Sequence, residues 1–277
     1  MSAMSAVSDG PSRFGGVARL FGAPALAQLQ QAHVLVVGLG GVGSWSVEGL
    51  ARTGVGALTL VDLDEICVTN INRQLPALDS TLGQAKAEVL ADRVRSINPE
   101  CRVAVALEFF TEASAERLLR PAEGQPPFSA VLDAMDSTLN KIRLIARCRD
   151  LGLPLVCCGA AGGRRDAARV SVADLSQVTH DRLLGGVRKQ LRRDLGFPRT
   201  GPLGVDCVFS PEPPVFPQPD GTVCGTAAPM TDGTGEGEAP RLNCNQGLGS
   251  SVFVTGTFGF VAAGRLVDRI LRGGVGG

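Results

Sequence analysis

Tyrosine is absent from this 277-residue chain, tryptophan occurs once and histidine twice, and aromatic residues make up only 4% of it. A hydride-transferring enzyme needs a proton donor beside its cofactor, and here the usual side chains are missing or misplaced. His33 opens an apolar run and His180 lies in a polar stretch, both outside the motifs described below. Net charge is absent too, since 27 Lys and Arg balance 27 Asp and Glu, so any polyanion-binding surface has to be local. The eight cysteines, at 67, 101, 148, 157, 158, 207, 224 and 244, contain no Cys-x-x-Cys pair. A tetrahedral zinc site made of two such pairs is excluded, and no structural zinc is expected. Long apolar runs are also lacking. Residues 251–267 are mostly apolar but carry Gly256, Gly259 and Gly264 and fall short of the ~18–20 residues of a membrane span. With Arg265 and Asp268 at its end, this stretch reads as a buried helix or a subunit contact, with membrane association a minor alternative. The first twelve residues, MSAMSAVSDGPS, have neither the basic start nor the apolar core of an export signal and read as a frayed tail. Free thiols in a reducing cytoplasm are therefore expected.

What is present begins with glycine and apolar strands. A 44% hydrophobic content over this length suits one large α/β domain with insertions. Residues 33–37 form a buried-type strand, followed by Gly38, Gly40, Gly41 and Gly43 and an apolar helix; a second strand over 57–61 ends in Asp62. This order matches a Rossmann fingerprint, in which glycines let the backbone approach phosphate, a helix N-terminus faces the anion, and an acid ~20 residues on meets the ribose. The spacing predicts a doubly wound, mostly parallel sheet with a C-terminal extension. No internal repeats are evident.

Cations follow the acid. Asn70, Ile71, Asn72, Arg73 and Gln74 place amides and a guanidinium beyond the second strand, and Lys86 lies in an amphipathic stretch over 83–97. Such a cluster serves polyphosphate chemistry, where charge on a transferring phosphoryl group needs fixed donors. Lys86 alone reads equally well as a solvated surface charge. A third strand, over 128–136, presents Asp133 and Asp136 at its carboxyl end, where open α/β sheets bind ligands. Asp136 is read as a Mg²⁺ ligand, with helix N-capping as the compatible alternative, and Asp133, inside the apolar run, as structural.

The second half differs from the first. Residues 153–158 read as a strand before a glycine turn, 168–173 as another strand, and 181–195 as an Arg-rich helix. Residues 164–199 hold nine Lys and Arg against four Asp, a local excess that suits a phosphate backbone and equally a solvated helix face. Arg182, Arg188, Lys189, Arg192 and Arg193 are its candidate nucleic-acid contacts. Cys157 and Cys158 read as packing residues. Cys207, Cys224 and Cys244 lie in loop-rich sequence and read as small buried hydrophobes, with Cys244, beside a flexible stretch over 226–241, the one thiol singled out as a possible sulfur acceptor.

The runs GLGGVGS, LVDLDEICVTNINRQ and DAMDS, with Lys86, resemble the ubiquitin-activating-enzyme-like adenylating proteins (the ThiF, MoeB and HesA type), which include activators of sulfur-carrier proteins. Arg13-Phe14-Gly15-Gly16, SINPECRV, LGVDCVFSPE, DGTVC and TGTFGFVAAG are similar to one branch, the tRNA threonylcarbamoyladenosine dehydratases, and the likeness runs from about Arg13 to Ile270. The resemblance implies ATP and Mg²⁺, an acyl adenylate, and a modified tRNA adenosine as substrate. It implies that Gly40 and Gly41 meet the nucleotide, Asp62 holds the ribose, Asp64 is among the nucleotide-binding residues, Asn70, Arg73 and Lys86 neutralise phosphates, Asp136 binds the metal, and Arg13 reaches the site of a neighbouring subunit in a homodimer. It sets an ATP-binding core over about 30–165 before a substrate and dimer region over about 166–277, and tips the basic helix towards tRNA. Lys141 is left without a role. Docking of a sulfur-transfer protein stays open, as do two other functions: activation of a ubiquitin-like sulfur carrier, which the missing Cys-x-x-Cys pairs count against, and NAD-dependent oxidoreduction.

Overall fold

The computed structural model describes residues 13–225 and 248–273. The expected tail over 1–12, the stretch over 226–241 and Cys244 lie outside the described residues. Two short helices, α1 (Gly15–Phe21) and α2 (Ala23–Gln31), lead into β1 (His33–Val37). Then come α3 (Gly43–Arg52), β2 (Ala57–Val61), α4 (Lys86–Ile97), β3 (Arg102–Ala106), α5 (Glu112–Leu118), β4 (Ala130–Asp133), α6 (Thr138–Asp150) and β5 (Leu155–Cys158). The chain continues through β6 (Ser171–Asp174), α7 (Arg182–Asp194), β7 (Asp206–Phe209), the two-residue strands β8 (Phe216–Pro217) and β9 (Val223–Cys224), and α8 (Val252–Gly273).

Strands β1 and β2 are buried at every position, as expected of near-continuous apolar strands covered on both faces. The sheet runs β3-β2-β1-β4-β5-β7-β6, parallel except for β6, which is antiparallel to β7. Because successive strand residues point to opposite faces, alternate positions feed two layers of core. Val34, Val36, Leu58, Leu60, Leu132 and Cys158 pack with residues of α3, α4 and α8. Leu35, Val37 and Val131 meet α5 and α6, while Cys157 and Cys207 meet α6 and α7.

Several boundaries differ from the sequence expectation. The third strand closes at Asp133, so Asp136 lies in the turn after it. That turn is capped by Ser137, whose Oγ accepts from Asn140 N at 3.4 Å, which corrects the N-cap reading of Asp136. Cys207, read as a loop residue, is buried in β7. The strand expected over 168–173 starts late, because Asp166 Oδ1 accepts from Ala168 N and caps a 3₁₀ turn over Ala167–Arg169.

Helix α8 packs along α3. Gly259 permits this approach: a Cβ there would lie 2.6 Å from Trp45 Cβ and 2.7 Å from Val42 O. Ser46 Oγ donates to Gly259 O at 3.0 Å and reinforces the contact. Among the described residues, no helix is long and apolar enough to cross a membrane.

Candidate active site

Strand order reverses between β1 and β4, which puts a ligand crevice at their carboxyl ends. The glycine segment sits there. Gly38 adopts φ +87°, a conformation that favours glycine, and a Cβ on it would lie 2.9 Å from Ala134 C and O in the turn after β4. The turns after β1 and β4 therefore touch. Asp62, buried after β2, accepts from Leu39 N at 2.6 Å and Asp64 N at 2.9 Å, pinning the glycine segment to its own turn. Burial raises the Asp62 pKa above its ordinary value, against the lowering effect of those two amides and of the Lys86 charge. A carboxylate oxygen accepts more than one bond, so Asp62 keeps capacity for ribose hydroxyls.

Lys86 is not a solvated charge. Its side chain is 6% exposed and Nζ lies 2.8 Å from Asp64 Oδ2. Asp64 is the anchor of that ammonium as well as a neighbour of Asp62. Asn70 is buried, with Oδ1 accepting from Cys67 N at 3.1 Å, and its amide nitrogen makes no hydrogen bond among the described residues. The stem of Arg73 lies along Gly41, with Cγ and Cδ 3.4 and 3.5 Å from a Cβ placed there. Its Nη1 donates to Thr69 O at 2.7 Å and Asn72 Oδ1 at 3.0 Å. Trp45 Nε1 and Thr255 Oγ1 both donate to Arg73 O, at 3.0 and 3.4 Å, so α3 and α8 fix the segment that carries the guanidinium.

Asp136 is exposed and makes no hydrogen bond or ion pair among the described residues. One free carboxylate at the carboxyl end of β4 is a donor set that would suit Mg²⁺ on a bound nucleotide, since that ion binds through one or two carboxylates plus phosphate oxygens and keeps several waters. Among the described residues, no group of three His, Cys, Asp or Glu could hold a metal by itself. Any divalent ion here therefore depends on the phosphates for its remaining ligands.

Two further residues, given no site role by the sequence reading, lie at the site. Gln74 is buried beside Gly40, with Nε2 3.8 Å from a Cβ placed there, and its Oε1 has no hydrogen-bond partner among the described residues. Its place in the Asn-x-Asn-Arg-Gln run was the available signal. Lys141 is wholly buried, 3.0 Å from Asp133 Oδ1 and 3.7 Å from Cys157 Sγ, while the Cys157 thiol donates to Asp133 Oδ2 at 3.3 Å. Burial alone would lower the Lys141 pKa; the charge and hydrogen bond of Asp133 together with the neighbouring Cys157 and Cys158 outweigh it and hold the ammonium above its ordinary value. Asp133 Oδ1 also accepts from Met135 N at 3.1 Å, so this pair braces the turn that carries Asp136.

Other predicted site residues lie apart. Arg13 Nη1 donates to Ile97 O at 2.8 Å, at the far end of α4 from Lys86, about 16 Å along the helix. Arg188, Lys189, Arg192 and Arg193 line a surface hollow of about 620 Å³ with Gly185 and Arg199. Arg188 departs from its expected role, since it is half-buried and its Nη1 donates to Leu175 O and Val178 O at 3.1 and 2.8 Å. Arg192 donates to Pro198 O at 3.0 Å, and Arg193 pairs with Asp194 at 2.6 Å. Lys189 and Arg199 make no side-chain bond among the described residues. Arg182 is separate from the hollow and lies over the Phe216 ring. Cys157 and Cys158 are buried as packing residues, whereas Cys224, expected to be a small buried hydrophobe, is exposed on the two-residue strand β9.

The ThiF family profile matches residues 16–271. The chain is 48% identical over 261 residues to the tRNA threonylcarbamoyladenosine dehydratase of Escherichia coli, covering 94% of this chain and 93% of that protein. A crystal structure of the E. coli tRNA N6-threonylcarbamoyladenosine dehydratase in complex with ATP superposes with a TM-score of 0.79 at 42% identity, covering 95% of each chain. The complex of the same enzyme with AMP superposes with the same TM-score at 43% identity and the same coverage. The chain belongs to the ThiF family and, within it, groups with the tRNA threonylcarbamoyladenosine dehydratases.

Proposed function

We propose that this protein uses ATP to dehydrate N6-threonylcarbamoyladenosine beside the anticodon of tRNA, through an acyl adenylate. What supports this reading is the contact of Arg73 with Gly41, of the turn preceding Asp136 with Gly38, and of Lys86 with Asp64 next to Asp62, in a chain nearly half identical to an enzyme of that name. The threonine carboxylate of the modified nucleoside attacks the α-phosphorus of ATP, a P–O bond breaks, and pyrophosphate leaves. The carbamoyl group of the same nucleoside then attacks the activated carbonyl, and AMP leaves with the former carboxylate oxygen. The nucleoside loses one water in net terms.

The side chains divide this work. Asp62 orients the ribose from its anchored position. Arg73 and Lys86 offset charge on the phosphates, and Asn70 has an amide N–H to add. A magnesium ion held by Asp136 would supply further charge neutralisation at the phosphates. Loss of one preorganised donor in such a site commonly costs on the order of 10²–10³ in rate. Ring closure joins two groups on one nucleoside, and good orientation can supply roughly 7–11 kcal/mol of such a barrier. No covalent enzyme intermediate is needed.

The quaternary reading is a homodimer in the cytoplasm. Arg13 is held away from its own Lys86, which favours action on the partner's phosphates. Exposed Leu20, Phe21, Phe253 and Phe260 offer apolar surface for subunit contact. The hollow on α7 is the tRNA backbone surface, with Lys189 and Arg199 as its unengaged cations and Arg192 and Arg193 at its rim. Docking of a sulfur-transfer partner is a separate proposal, with Cys67 and Cys224 the exposed cysteines among the described residues.

The test is mass spectrometry of tRNA nucleosides after incubation with the protein, ATP and Mg²⁺. Conversion of threonylcarbamoyladenosine to a product one water lighter, with AMP and pyrophosphate formed in step, is the expected result. An unchanged nucleoside, or conversion with NAD in place of ATP, overturns the reading.

A further inference from the structure

Most phenylalanines of this chain serve the core, but Phe216 is half-exposed on β8, within the proline-rich segment PEPPVFPQP. Its position is tied to the nucleotide site by a series of bonds. Val215 N donates to Gly163 O at 2.8 Å, in the turn after β5, and Gly163 N donates to Gly249 O at 2.7 Å. Next door, Asn72 Nδ2 donates to Ser250 O at 2.9 Å, beside Arg73. The shelf carrying Phe216 thus begins at the phosphate cluster and lies beyond the carboxyl end of β5, on the ligand-binding edge of the sheet.

One buried guanidinium assembles the shelf. Arg164, 3% exposed, donates to Ala160 O in the turn at 3.0 Å, to Glu212 O on the approach to β8, and to His180 O at the entrance of α7 at 2.8 Å. Asp181 then caps α7 at Leu184 N (2.9 Å) and also holds Ala160 N (2.8 Å). The first residue of that helix, Arg182, is thereby set with its guanidinium 5.3 Å from the Phe216 ring centroid. Arg182 makes no other side-chain bond among the described residues. Farther along the same helix, about 10–16 Å on, stand Lys189 and Arg193 of the cationic hollow.

We propose that Phe216 and Arg182 form a stacking platform for an unpaired base of the tRNA loop adjoining the modified adenosine, while the hollow on α7 takes phosphates of the same strand. The proposal rests on the tRNA reading given above. Loop bases splayed from a stem expose their π faces, and aromatic rings and guanidinium planes are the side-chain surfaces that stack on them. A planar pair fixed by a buried tie, with phosphate-binding cations in line, supplies both halves of such recognition. It also gives the RNA a direction on the protein, base end at the start of α7 and backbone end at its finish.

The test uses the full-length protein and an anticodon stem-loop RNA bearing threonylcarbamoyladenosine, with 2-aminopurine at the neighbouring loop position. Wild type is expected to bind it and quench the fluorophore. Phe216→Leu should weaken binding roughly 5- to 150-fold, the equivalent of one lost base stack, abolish the quench, and leave the salt dependence and the thermal shift with ATP unchanged. Phe216→Trp should restore both affinity and quench, which separates stacking from a folding defect. Lys189→Ala should instead reduce the log–log salt slope by about 0.7–0.9 while preserving the quench. Unaltered affinity and quench in Phe216→Leu, with wild type turning over the nucleoside, overturn the platform alone. Failure of wild type to bind or convert the RNA overturns it together with the reading on which it rests.

Discussion

Lys141 and Asp133 have no exposed side-chain surface, and each is the other's compensating charge. Removing one partner of such a pair strands a buried ion, whereas removing both in favour of apolar groups is often neutral. Lys141→Met should therefore cost about 3–5 kcal/mol in chemical denaturation, and Asp133→Leu added to it should recover much of that loss. Additive losses in the double variant would show that the pair is not coupled. Gln74 makes the opposite case, because its unsatisfied carbonyl costs stability while no ligand is bound. Gln74→Met should raise the stability of the free protein by about 1–3 kcal/mol and weaken ATP binding; a stabler protein with undiminished ATP affinity would make the amide irrelevant to the nucleotide. These residues also mark where the sequence was legible. Asp62 and Arg73 could be read because chain-local spacing to the glycines and β2 fixes them. Lys86 could not be separated from a surface lysine, since its burial depends on Asp64 across a turn. Arg188 looks like its neighbours along the chain, and only the packing of α7 shows its guanidinium turned back on carbonyls.

At the scale of elements, α8 is joined to the sheet through Asp206. Arg265 Nε and Arg269 Nε lie 2.8 and 2.5 Å from Asp206 Oδ2. Burial alone would raise the Asp206 pKa; the hydrogen bonds and charges of Arg269 and Arg265 together outweigh it and hold the carboxyl below its ordinary value. With the folded value depressed, this contribution is present above the unfolded pKa of about 3.9 and is lost as pH falls through the lower folded value. Asp206→Asn should lower Tm at pH 6, with the gap to wild type closing as the pH approaches 3. A gap that stays constant with pH would assign the loss to packing instead. Element type was legible where the local pattern is strong: β1 and β2 fall where the continuous apolar runs put them, and α7 within one residue of its expected ends. The antiparallel pairing of β6 and the two-residue strands β8 and β9 were not, because partners distant in sequence define them.

For the whole molecule, the composite-site reading makes a mixing experiment decisive. Arg13→Ala and Asp136→Ala proteins should each be inactive, and after subunit exchange about a quarter of the sites would carry both wild-type residues. Activity near that fraction is expected; none, with exchange verified, would mean that Arg13 acts within its own chain or not at all. The layout has a further consequence, for synthesis. The glycine segment rests on α3, and α3 rests on α8 through the Ser46–Gly259 bond, which spans 213 residues of chain. At ribosomal rates of roughly 5–20 residues per second, α3 emerges on the order of 10–40 s before its partner. From the emergence of Asp136 onward, for roughly 6–25 s of that interval, the nascent chain carries the proposed nucleotide-site residues from Gly38 to Asp136 but lacks the helix that fixes the Arg73 segment. Competence for nucleotide is then expected only once α8 has docked, so a chain ending before Val252 should show no thermal shift with ATP.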